Sequence, residues 1–203
     1  MDLLIATGNA GKVKEFREML GDERFAWHDL SEFPAAIPVP ETGETFDANA
    51  SLKAAGYARQ TGMWALADDS GLEVDALQGK PGVHSARWAQ LNGTGSGDMD
   101  NNATLIKQLE NVPEDRRSAR FVCALALSDP SGRIVLSARD SVEGRILRSP
   151  RGTNGFGYDP LFFIDGLGQT TAELTPAKKH KISHRGKALR RLREMMDGGL
   201  GLR

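Results

Sequence analysis

The chain has 203 residues, long enough to bury a real core in a single domain or a domain of two lobes and too short for two full domains. A hydrophobic fraction of 39% with 26% charged residues excludes a disordered or fibrous chain. Lys and Arg total 26 against 27 for Asp and Glu, a formal net charge of -1, which excludes a global electrostatic pull on nucleic acid and requires any anion site to be local.

Leu3 to Ala6 reads as a short apolar strand closed by Thr7-Gly8-Asn9-Ala10-Gly11, whose glycines and Asn suit tight turns. From Lys12 onward Val13, Phe16, Met19 and Leu20 recur at helical spacing, so the opening unit is strand, turn, helix. No basic, signal-like start precedes that strand and no run of about 18 apolar residues occurs, so a cytoplasmic protein without a membrane partner is expected. The proline-rich stretch Pro34 to Pro40 leads to a loop at residues 41–46 and then a helix in which Phe46, Ala50, Ala54 and Ala58 form a small-residue stripe. Asn49, Lys53 and Tyr57 share a neighbouring face, from which Lys53 can reach over a cleft or lie in solvent.

Trp64 to Ala67 predicts a second apolar strand ending at Asp68-Asp69-Ser70-Gly71, and Leu72, Val74 and Ala76 alternate beyond it, which predicts two strands flanking an acidic corner. Asn92 to Asp98 is glycine-rich and predicts a mobile loop before a helix over 102–109. Ala119 to Leu127 reads as a buried strand, with Cys123 a small buried hydrophobe, and the turn 129–132 leads to a strand over 133–142 in a hairpin. A second glycine-rich loop, 152–157, precedes the apolar segment Leu161 to Ile164. Ser183 can cap a last helix with Leu189, Leu192, Met195 and Met196 on its buried stripe. The pattern is that of a single α/β domain with a mixed sheet.

Three clusters can carry chemistry. At the opening turn, backbone N–H groups freed at a helix N-terminus, the helix dipole and the charge of Lys12 suit a phosphate, although neither the Walker spacing nor Gly-x-Gly-x-x-Gly is present and a structural corner fits the same residues. Asp68 and Asp69 repel each other unless a cation or hydrogen bonds intervene; Mg2+ would relieve that, with Glu41 a plausible second carboxylate, while a solvated turn also suits these residues. Lys178, Lys179, His180 and Lys181, with Ser183, His184 and Arg185, form an anion trap or a solvated basic face. His28 and His84 are isolated and read as structural. No Ser-His-Asp order, Cys-x-x-Cys or His-Glu-x-x-His occurs, so carboxylates with separated cations leave phosphoryl or nucleotidyl chemistry as the best-matched class.

Six blocks occur in order across nearly the whole chain: Thr-Gly-Asn-Ala-Gly-Lys (7–12), Glu-Thr-Gly-x-Thr-Phe (41–46) followed by Asn49 and Lys53, Ala-Asp-Asp-Ser-Gly (67–71), Pro-Gly-Val-His-Ser-Ala-Arg (81–87), Gly-Phe-Gly-Tyr-Asp-Pro (155–160) and Ser-His-Arg-Gly (183–186). Together they resemble the inosine triphosphate pyrophosphatase family, in particular its bacterial xanthosine/deoxyinosine triphosphate members. The resemblance implies an elongated mixed β-sheet flanked by helices, two lobes with a central cleft spanning 1–203, a homodimer and Mg2+ dependence. It also implies hydrolysis of ITP, dITP and XTP to the monophosphate and pyrophosphate. By the same resemblance Thr7, Gly8, Asn9, Ala10, Gly11 and Lys12 are the phosphate turn and Lys53 a further phosphate contact. Glu41 and Asp69 are metal ligands, Asp69 is the proton acceptor with Asp68 in support, and Ser70 is a substrate contact. Phe156, Gly157, Tyr158, Asp159, Lys179, His184 and Arg185 hold base and sugar, with the Phe156 ring stacking and Arg185 donating to the base carbonyl. One departure is the stretch Gly93 to Asp100, longer and richer in glycine than the family pattern. A pyrophosphatase for modified pyrimidine or 7-methylguanine triphosphates and a non-catalytic nucleotide- or RNA-binding module are the alternative readings.

Overall fold

The computed structural model describes residues 2–20 and 25–199, and the remaining positions hold none of the candidate site residues. The opening strand β1 (Asp2–Ile5) has Leu3, Leu4 and Ile5 almost wholly buried, as expected of a strand with parallel neighbours on both sides. Those neighbours are β2 (Ala26–Asp29) and β3 (Trp64–Val74). Between β1 and β2 lies α1 (Ala10–Leu20), whose Phe16 and Leu20 face the core as the spacing predicts. The next helix, α2 (Phe46–Thr61), begins where the Thr45 hydroxyl accepts from the Ala48 N–H and ends at Gly62 in the left-handed region. Its alanine stripe is buried, and so are Asn49, Lys53 and Tyr57 on the neighbouring face.

Downstream come α3 (Trp88–Leu91), α4 (Asp98–Gln108), β4 (Ser118–Ser128) and β5 (Ile134–Ile146), then β6 (Phe162–Ile164), β7 (Gln169–Thr170), α5 (Pro176–Ile182) and α6 (His184–Gly199). Among the described residues the strands form one seven-stranded sheet in the order β2-β1-β3-β4-β5-β6-β7. It is mixed, because β1 pairs parallel with β2 and β3 whereas β6 pairs antiparallel with β5 and β7. β4 passes into β5 through the predicted turn, closed by the Gly132 N–H on the Asp129 carbonyl and the Asp129 N–H on the Arg133 carbonyl.

Several expectations are corrected. The acidic segment is not a corner between two strands: β3 runs without a break from Trp64 to Val74 and carries Asp68 and Asp69 in its middle. α4 begins at Asp98 instead of residue 102, and β5 continues to Ile146 instead of ending at 142. In α6, Leu189 and Leu192 are buried, but Met195 is 37% exposed because the helix rotates it away from the core. β2, α3, α5 and β7 are short elements that periodicity did not reveal, although Thr175-Pro176 carries a start signal for α5: the Thr175 hydroxyl accepts from the Lys178 N–H and Pro176 opens the helix.

The chain divides into two compact units, one of Met1–Asp69, Cys123–Asp140 and Arg185–Arg203, the other of Ser70–Val122 and Ser141–His184. The first has a core built around Leu3, Ile5, Phe16, Leu66, Leu125 and Leu189, in which Cys123 is buried and its thiol pushed up to about 12 by desolvation. The second packs Leu72, Leu105, Phe121, Tyr158 and Phe162. Its least ordinary member is Arg117, fully buried, whose guanidinium donates to the carbonyls of Ile146, Leu109, Leu147 and Val112 at 2.7, 2.6, 3.2 and 3.4 Å. The last carbonyls after α4 and the end of β5 are thereby satisfied by one cation. Arg117→Met should leave these carbonyls without that donor and lower stability by roughly 3 kcal/mol, read as a reduced urea midpoint at unchanged slope.

Candidate active site

In the first unit the turn after β1 is organised by its own side chains. The Thr7 hydroxyl accepts from the Asn9 N–H at 3.3 Å, and the Asn9 side-chain oxygen accepts from the Lys12 N–H at 3.1 Å, capping α1. Gly8, Asn9 and Ala10 are exposed and Gly11 is partly so, leaving amides at the positive end of an eleven-residue helix open to an anion. The Lys12 ammonium leans back to Asp68 at 3.1 Å.

Successive side chains of a strand point to opposite faces, so Asp68 and Asp69 are separated despite being adjacent. Asp68 is fully buried and meets Lys12 and the Arg185 guanidinium, whose two donating nitrogens lie 3.0 and 3.3 Å away. Burial alone would raise its pKa, but Lys12, Arg185 and Lys53 outweigh that and hold the carboxyl well below its usual range. Asp69, 6% exposed, accepts from the Lys53 ammonium at 2.9 Å and from the Asn49 amide at 3.3 Å. There desolvation prevails over Lys53, and the pKa is raised. Lys53 also donates to Glu41 at 2.7 Å, so one ammonium bridges two carboxylates. Burial opposes the charge of Lys53, but Asp68, Asp69 and Glu41 overcome it and raise its pKa.

This donor set fits a divalent ion. Two carboxylates within reach of one ammonium are within reach of one cation, and the raised pKa of Asp69 marks a buried carboxylate short of positive charge. Among the described residues no group of three His, Cys, Asp or Glu could hold a metal. Two carboxylates are nevertheless the complement used by magnesium, which takes its other oxygens from water and phosphate.

The second unit holds a cluster around Asp159, 2% exposed. Its carboxylate accepts from the Lys179 ammonium at 2.6 Å, the Phe156 N–H at 2.9 Å and the Thr171 hydroxyl at 2.7 Å. The Lys179 ammonium also lies 5.0 Å from the centre of the half-buried Phe156 ring. Of the three lysines in the basic run, Lys179 is buried while Lys178 and Lys181 are exposed. His184 stacks on Phe121 at 5.0 Å, and Ser70 is half-buried on β3. Tyr158, expected among the ligand contacts, has its ring in the core and its hydroxyl on the Ser85 carbonyl at 2.9 Å, because a ring this apolar is more stable inside.

Arg185, expected to donate to a base, is 1% exposed and held by Asp68 and by a short contact to Glu15, since two buried carboxylates demand a counter-charge. Sequence reasoning misses Glu15, which reads as an outer-face residue of α1 and is revealed only by its position opposite a buried arginine; Asn49, singled out beside Lys53 without a role, donates to Asp69. The Ser-Ala-Arg block is structural in part: the Ser85 hydroxyl accepts from the Leu72 N–H and donates to the Gly82 carbonyl.

Fold and site define an α/β protein in which an exposed turn at a helix N-terminus and three cations gather about a divided carboxylate pair. The Ham1 family model matches residues 3–195. A dITP/XTP pyrophosphatase of Exiguobacterium sibiricum is 51% identical over 99% of this chain and 100% of its own length, and one of Desulforamulus reducens is 51% identical over 97% of this chain and 96% of its own. The solved structure of a HAM1 protein from Coxiella burnetii superposes with a TM-score of 0.86 at 40% identity, covering 97% of this chain and 98% of that one. This chain belongs to the Ham1 family, and the resemblance read from the six motif blocks holds.

Because Asp68 has a lowered native pKa, its stabilising effect is complete above the ordinary carboxylate pKa of about 4 and is lost as pH falls through the native value. Asp68→Asn should therefore cost about 3 kcal/mol at neutral pH by stranding Arg185 and Lys12, and the gap from wild type should narrow as pH drops below about 4. Urea unfolding across that range reads both effects.

Proposed function

We propose that this chain is a Mg2+-dependent hydrolase that converts dITP, XTP and ITP to the monophosphate and pyrophosphate, removing deaminated purines from the nucleotide pool. The relatives named above support the activity. The observation that carries the reading is the junction of Lys12, from the opening turn, with Asp68 while the adjacent Asp69 shares Lys53 with Glu41. Glu41 and Asp69 would hold the ion, which when bound supplies charge neutralisation to the triphosphate.

The amides of Gly8, Ala10 and Gly11, the side chains of Thr7 and Asn9 and the ammonium of Lys12 bind phosphate oxygens, and Lys53 adds a second positive charge, so charge on the leaving pyrophosphate meets fixed donors. Asp69 accepts the proton of a water attacking the α-phosphorus. Asp68, locked to Arg185, stays ionised and fixes the strand that presents its neighbour. Phe156 offers a stacking face, and Lys179 donates to a 6-oxo group that an adenine amino group would not satisfy. Asp159, Ser70 and His184 complete the base and sugar contacts, and Gly157, whose N–H and carbonyl are held within the protein, adds a packing contact alone. The whole chain, 1–203, acts as one domain of two lobes, as a cytoplasmic homodimer on free nucleotides, without a nucleic-acid or membrane partner. No helix among the described residues is long and apolar enough to cross a membrane.

Pyrophosphate release from dITP, XTP, dATP and dGTP, with and without Mg2+, tests the proposal. Turnover should require the ion and favour dITP and XTP. Asp69→Asn should lower kcat by at least about 100-fold, and near wild-type turnover in that variant would remove Asp69 as the base. Lys53→Met should raise KM and lower kcat together, because the lysine serves both the carboxylates and the phosphate.

A further inference from the structure

The glycine-rich stretch before α4 has no part in the chemistry described, yet it sets the start of a helix tied to the segment carrying Phe156. The Ser96 N–H donates to the Asp100 carboxylate at 2.8 Å, and Gly97, at φ +85°, turns the chain into α4. Asn101, 1% exposed, then fastens the helix: its side-chain oxygen accepts from the Ala89 N–H and its amide donates to the Ala86 carbonyl. On the adjoining positions Asp98 and Asn102 lie one turn apart, on one face.

Those two side chains hold both hydrogen-bonding groups of Gly157. The Asp98 carboxylate accepts from the Gly157 N–H at 2.6 Å, and the Asn102 amide donates to the Gly157 carbonyl at 2.8 Å while also donating to the Asp98 carbonyl at 2.9 Å. Gly157 has φ +62°, a conformation that only glycine adopts without strain, so its own covalent structure leaves the peptide direction loosely determined. One residue earlier the Phe156 N–H is held by Asp159. The amides on both sides of Phe156 are thus anchored, one by the Asp159 cluster and the other by α4.

We propose that Asp98 and Asn102 are positioning residues for base recognition: α4 fixes the peptide that presents the Phe156 ring, and these two side chains set nucleotide affinity without touching the nucleotide. The proposal rests on the reading of Phe156 as the stacking face.

Steady-state kinetics with dITP and Mg2+ test it on Asn102→Asp, Asp98→Ala, Asp98→Asn and Phe156→Ala. Asn102→Asp sets a carboxylate against the Gly157 carbonyl and should raise KM about tenfold with kcat within about threefold, the signature of lost binding without lost chemistry. Asp98→Ala should raise KM about fivefold, and Asp98→Asn, which keeps an acceptor, should restore it to within about twofold of wild type. Asp98 is exposed, so its variants carry the test even if Asn102→Asp fails to fold. Wild-type KM in Asp98→Ala, or a fall in kcat at constant KM, overturns the proposal. If Phe156→Ala raises KM while the α4 variants do not, the positioning role fails and the stacking role stands; if Phe156→Ala leaves KM unchanged, both fall.

Discussion

Two carboxylates side by side in the middle of a buried strand are the constraint on which the rest of the first unit depends. Neither can stay ionised there without a partner, and the strand pleat turns them toward different nearest cations. The chain answers with cations from three helices. Lys12 from α1 and Arg185 from α6 meet Asp68, and Lys53 from α2 meets Asp69. These contacts join positions far apart in sequence, so the same charges that tune the site also dock the helices on β3. The partition is unequal: Asp68 lies between two cations and is pushed down in pKa, whereas Asp69 shares one lysine with Glu41 and is pushed up. Two carboxylates shifted in opposite directions arise from neighbouring copies of the same amino acid.

The second unit uses a related device with backbone in place of carboxylates. Arg117 is buried against carbonyls, and Asp159 gathers an amide, a hydroxyl and an ammonium. Both groups convert a loop or a helix end into a fixed position. The segment carrying Phe156 is irregular in structure but closely hydrogen-bonded, which is what a specific base contact requires of a loop.

Much of this was legible in sequence. The β1-turn-α1 unit, the stripe of α2 and the buried strand β4 follow from apolar spacing, and Lys53, Asp69 and Glu41, singled out in sequence, meet in one ion-pair cluster. The acidic segment was misread as a corner because Asp, Ser and Gly favour turns when considered locally. Compensation by Arg185, 117 positions away, keeps the strand straight, and no local window contains that partner. For the same reason Glu15 was invisible, as was the part Arg185 plays as counter-charge to Asp68. The short elements β2, α3 and β7 contain too few residues to show a period.

The proposed function requires a divided carboxylate pair, with Asp69 and Glu41 available to a metal ion and Asp68 reserved for Arg185. A crystal structure with Mg2+ and a non-hydrolysable dITP analogue addresses it directly. The ion should sit on the Asp69 and Glu41 carboxylates with the Asp68–Arg185 pair intact. An ion bound to Asp68, with Arg185 released, would contradict it.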